Sequence, residues 1–180
     1  MNVVVILAII LSVALVVYVS GNRASKGSAK MRLPEIQNCN NITDIVMSVN
    51  QGRIYPYFTG MSFDQVKRVV KSSHRNFTDW ENKVQLYELI GYMPSVDLPD
   101  VSRLINRTSI HLTKIKVVSA ITIEIKDFQQ NKTKLIEEMI LKFGKPTSID
   151  RQFMIWREGY MVVNIDATNG CISVINEKLF

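Results

Sequence analysis

The chain has 180 residues, 47% of them hydrophobic, and a formal net charge of +6. The charge is unevenly placed: Arg23, Lys26, Lys30 and Arg32 lie near the N-terminus, while residues 34–180 hold 18 basic and 16 acidic side chains. A duplex-binding surface needs clustered phosphate-neutralising charge, so no nucleic-acid partner is expected, and two cysteines far apart in sequence give no zinc-site spacing.

Val3 to Val19 is an apolar run whose polar members are Ser12 and Tyr18. At about 1.5 Å per residue it spans roughly 26 Å, close to a bilayer's hydrocarbon core. Residues 3–19 are therefore expected to be a single-pass transmembrane anchor. A cleaved signal peptide has a shorter apolar stretch behind a basic start, and no Lys or Arg precedes this one. Val19-Ser20-Gly21 is the weak cleavage site that this alternative would use; no lipobox is present. Residues 20–33 read as a flexible basic tether. By the positive-inside rule, its charges predict a domain on the cytoplasmic side. An exported or periplasmic domain is the alternative, if the segment is cleaved or reversed. Asn41, Asn76, Asn106 and Asn131 each open a glycosylation sequon, which bears on this only in a eukaryotic secretory route. About two such triplets are expected by chance in a chain this rich in Asn and Thr. Arg23, Lys26, Lys30 and Arg32 are candidate contacts to anionic lipid.

Residues 34–180 are expected to form one α+β domain, a helix-plus-antiparallel-sheet fold. Ile42, Ile45, Val46 and Val49 have helical spacing that Gly52 ends, and a strand is predicted over 53–58. Ser62-Phe63-Asp64-Gln65 is a capping-box pattern opening a helix through Ser72. Around Trp80 to Ile90 the apolar spacing fits both helix and strand, and Pro94 and Pro99 mark a loop. Two strands are predicted within 107–126 from their β-branched content and alternation. Asn131 or Thr133 is placed to cap a helix carrying Leu135, Ile136, Met139, Ile140 and Phe143, stopped by Gly144 and Pro146. Phe153–Arg157, Met161–Ile165 and Cys171–Ile175 then alternate as a terminal three-stranded meander, with Gly159 and Gly170 at its turns.

Phe58-Thr-Gly-Met-Ser-Phe-Asp-Gln-Val-Lys-Arg-Val-Val resembles the helix start of BamE/SmpA-like small envelope domains. Leu141-Lys-Phe-Gly-Lys-Pro, the Trp156 strand and the meander are similar to related bacterial proteins of the same layout. The resemblance covers about residues 55–180. It implies an α+β domain working as a scaffold or assembly partner rather than an enzyme.

No residue pattern points to catalysis, metal binding or a cofactor. His74 and His111 have no carboxylate at metal-site spacing. Glu137 and Glu138 are about 100° apart on a helix and cannot converge on one bond. Asp97 and Asp100 flank Pro99 and read as turn formers. Lys114, Lys116 and Lys126 read as the solvated face of strands. Cys39 and Cys171 are the one pair able to form a disulfide in an oxidising compartment, and two ordinary buried thiols is the other reading. Tyr55, Tyr57 and Phe58, with Tyr92 and Met93, are candidate partner contacts, because loop aromatics and Met anchor protein partners. The sequence thus predicts a membrane-tethered, non-enzymatic protein-interaction or assembly module. The alternative is a domain sensing a small ligand or lipid headgroups at the membrane surface.

Overall fold

The computed structural model describes residues 34–73, 77–89, 95–99 and 102–180, residues 85–89 by their backbone. The predicted anchor and tether lie outside these residues, as do His74, Tyr92, Met93 and Asp100. No helix among the described residues is long and apolar enough to cross a membrane.

The domain is α+β, with four α-helices and two antiparallel sheets among the described residues. Helix α1 (Ile42–Ser48) starts at Asn41, whose side chain accepts from the Asp44 N–H. Strands β1 (Val49–Asn50), β2 (Arg53–Ile54) and β3 (Tyr57–Phe58) follow as a small sheet. The single strand predicted over 53–58 is thus two short ones, divided by a turn at Tyr55 and Pro56. Helix α2 (Phe63–Ser73) opens with the expected capping box: the Ser62 N–H donates to Gln65 Oε1 at 2.8 Å and the Gln65 N–H to Ser62 Oγ at 3.3 Å. The ambiguous stretch after it is helix α3 (Phe77–Leu89).

Strands β4 (Ser95–Leu98), β5 (Ile105–Leu112) and β6 (Val118–Ile125) then form a meander. Residues 95–98, expected to be loop, are therefore an edge strand of this sheet among the described residues. Helix α4 (Phe128–Phe143) crosses from β6 to the far margin of the sheet. Neither Asn131 nor Thr133 caps it. It begins four residues earlier than the Asn131 reading implies, behind Asp127 in a left-handed conformation (φ 49°), so that Phe128 joins the core.

Strands β7 (Ser148–Asp150), β8 (Phe153–Glu158), β9 (Met161–Asp166) and β10 (Cys171–Asn176) come back toward the middle, where β10 pairs with β6. The three predicted terminal strands are adjacent and antiparallel, inside a seven-stranded sheet of order β4-β5-β6-β10-β9-β8-β7.

Alternation assigns one face of this sheet to the core. Ile110, Ile121, Ile123, Val163, Ile165, Ile172 and Val174 are fully buried there, in one cluster with Val66 and Val70 of α2 and Leu135 and Met139 of α4. Burying such a side chain contributes about 1.5–3 kcal/mol each. Two buried tryptophans fasten the layers. Trp80 of α3 donates its indole N–H to the Asp97 carbonyl of β4, and Trp156 of β8 donates to Gly144 at the end of α4, both at 2.8 Å. Asp97 is thus a strand residue rather than a turn former.

Candidate functional site

The second face of the large sheet is polar. In the observed register Asp97, Ser109, Thr122, Ser173 and Asn164 stand side by side across β4, β5, β6, β10 and β9. Ser109 Oγ donates to Asp97 Oδ1 at 2.5 Å, Thr122 and Ser173 hydroxyls are 2.9 Å apart, and His111 Nε2 lies 3.2 Å from Thr122 Oγ1. Burial pushes the His111 imidazole below its usual range, Asp97 opposing and Arg107 adding to the shift. A neutral imidazole beside a hydroxyl chain has the makings of a proton relay. Acyl transfer also needs spare N–H donors for the developing oxyanion, and strand N–H groups on both sides of β6 and β10 serve the ladders. The row ties strands together. The row is not legible in the sequence, because only the register aligns its members.

The predicted aromatic contacts separate. Tyr57 is 1% exposed and part of the core, so it offers no surface. Phe58 is half-buried against that core, with the Arg53 guanidinium 5.8 Å from its ring centroid. Tyr55 stays partly exposed at the turn.

Both thiols are free, and they belong to different environments. Cys39 is in the core cluster beside α1, where burial, helped by Asp44, pushes its thiol up to about 12. Cys171 precedes the core-facing Ile172 on β10 and so points to the opposite, polar face, half-buried beside Glu124 and Asp166 in the register. Burial raises its thiol as well. A disulfide requires Cβ atoms about 3.8 Å apart, which two side chains on opposite sheet faces do not reach.

Two surfaces have the character of contact sites. One is the margin formed by β7, which among the described residues pairs only with β8. All three of its residues are exposed. Ile149 is opposite Met154, whose side chain packs on the core, so Ile149 carries that apolar face outward to the edge, 65% exposed. The other is a shallow depression of about 290 Å³ between α2 and α3, lined by Asp64, Lys67, Arg68, Lys71, Phe77 and Glu81. Lys67 bonds Asp64 at 3.0 Å and overlies the Phe63 ring, while Lys71 overlies Phe77. The helical repeat of Lys67 and Lys71 was visible in sequence; the partner wall from α3 was not.

Among the described residues no group of three or more His, Cys, Asp or Glu side chains could hold a metal ion. No protein-family model matches the chain, and no curated protein matches it. A solved structure, the crystal structure of the C-terminal domain of TagH, is similar at 11% identity and a TM-score of 0.27. The match covers 69% of this chain and 65%, under two thirds, of that one. A likeness of this strength carries no argument about fold or role.

Proposed function

We propose that the chain is a membrane-tethered, non-enzymatic interaction module whose domain takes an extended segment of a protein partner onto the β7 edge. The observation behind this reading is Ile149, an exposed apolar side chain on a strand that, among the described residues, pairs only with β8. Ile149 stays uncovered on that edge, although the charge of Asp150 and the three-residue length of β7 blunt it in part. Strand addition draws affinity from main-chain hydrogen bonds and selectivity from alternate side chains, and β7 offers Ile149 on one face between Ser148 and Asp150 on the other. An assembly role, as the BamE/SmpA-like motifs imply, is compatible with such an edge.

A photo-reactive residue at position 149 of the full chain, in its native membrane, is expected to give a discrete protein adduct. The same group at Leu141, exposed on α4, is expected to give none. Equal adducts from both positions, or none from position 149, would remove the β7 edge from consideration.

A second reading, contact with anionic headgroups at the membrane surface, is favoured by the cationic depression between α2 and α3.

A further inference from the structure

We infer that the tip of the β5–β6 hairpin and the exposed side of α2 together dock on an anionic phospholipid bilayer, with Ile115 entering the headgroup layer and the surrounding cations meeting lipid phosphate. This deepens the headgroup reading and rests on residues 3–19 being a membrane anchor.

Ile115 sits at the turn between β5 and β6, 80% exposed, with exposed Lys114 and Lys116 on either side. Turn tips favour Gly, Asn, Asp, Ser and Pro, so a branched aliphatic side chain held outward between two lysines is unusual for a surface that meets water alone. The turn is closed by the Lys116 N–H to the Thr113 carbonyl at 2.9 Å and the Thr113 N–H to Val117 at 2.8 Å. Its tip is also fastened to the start of α2, because the Phe63 N–H donates to the Lys116 carbonyl at 2.9 Å. Asp64, Lys67, Arg68 and Lys71 line one depression on α2, and this bond brings Lys116 to the helix start beside Asp64. The Asp64 carboxyl registers this: its bond to Lys67, then the fields of Lys67, Arg68 and Lys116, hold it below its usual range.

An apolar tip ringed by Lys and Arg is the arrangement of interfacial membrane contacts. Residues 20–33, fully extended, reach at most roughly 50 Å, so an anchored domain stays near the leaflet from which its tether emerges. Attraction to an anionic leaflet acts within about 8 Å at physiological salt, a distance inside the reach of a tether of that length.

The test uses the full chain carrying Ile115→Trp, reconstituted into vesicles of brominated phosphatidylcholine with or without phosphatidylserine. Trp80 and Trp156 are 6% and 2% exposed, shielded from bromine, and report an intact fold. Quenching of the added indole is expected to be several-fold stronger with phosphatidylserine, to fall at high salt, and to drop to the phosphatidylcholine level with Lys67→Glu, Arg68→Glu and Lys71→Glu combined. Flotation with vesicles but no lipid-dependent quenching, or quenching indifferent to the charge reversal, overturns the docking surface alone. Failure to float with either lipid overturns the anchor and the docking surface together.

Discussion

Lys142 shows how one side chain can serve two helices. Helix α1 has no basic residue in its last turn, and its final carbonyls need donors. The Lys142 ammonium of α4 supplies them, donating to Val46 at 2.8 Å, to Met47 at 3.1 Å and to Val49. Burial pushes its pKa down to about 8, while the three carbonyls pull toward the charged form. Lys142→Met is expected to lower stability at pH 7 by about 1–3 kcal/mol, read by urea unfolding, because carbonyls lose their donor. The unfolded lysine keeps a pKa near 10.4, so between about 8 and 10.4 the unfolded chain binds the extra proton. Stability is therefore expected to gain a rising component across that window which Lys142→Met lacks.

Asp166 has the opposite sign. Burial raises its carboxyl, but N–H groups of Asn169 and Thr168, with the side chains of Asn169 and Gln152, outweigh this and leave it below the ordinary value. Its contribution is full above the unfolded pKa of about 3.9 and is lost as pH falls through the folded value. Asp166→Ala is expected to cost about 1–3 kcal/mol at neutral pH, with the gap from wild type closing in urea titrations at acid pH.

At the scale of elements, the turn between β9 and β10 depends on Gly170. Its φ is +71°, and an added Cβ would lie 2.6 Å from the Cβ and Cγ of Phe128, the first residue of α4. Gly170→Ala combines left-handed strain with overpacking and is expected to cost about 2–4 kcal/mol, seen as a lower thermal midpoint. Whichever end of α4 is considered, local sequence sets only part of it. The Gly144 stop was legible, and so were the Leu135, Ile136 and Met139 stripe and the alternation of the three last strands. The N-terminus was not, because no side chain caps it and Phe128 is placed by its tertiary neighbour. Trp80 to Leu89 was ambiguous for a related reason: a short apolar pattern fits both periods, and its packing against Phe63 and Phe77 decides. The contact surfaces were harder still. Tyr57 looked like a loop aromatic until a two-residue strand turned it inward. Ile115 and Ile149 carried no signal of exposure in the sequence, and only the turn and the sheet margin leave them uncovered.

For the whole molecule, the two thiols give a reporter of integrity. With Cys39 buried on the helical side and Cys171 half-exposed on the other face, a thiol reagent is expected to modify Cys171 slowly in the native chain. Cys39 should react only on unfolding, and mass spectrometry after a timed pulse separates the two. An oxidising buffer is expected to leave no Cys39–Cys171 bridge in native protein; finding one would show that the sheet does not separate them.

The course of α4, from the middle of the sheet to its far margin, also sets an order on synthesis. Strand β10 follows both of its neighbours in the chain, yet it alone joins the β4–β6 meander to the β7–β9 meander. Until β10 leaves the ribosome, β6 and β9 each wait with a bare, apolar margin, open to pairing with another nascent chain. A message broken just before codon 171 would therefore yield two half-sheets with matching unsealed sides, a product for quality control to remove rather than a smaller working domain.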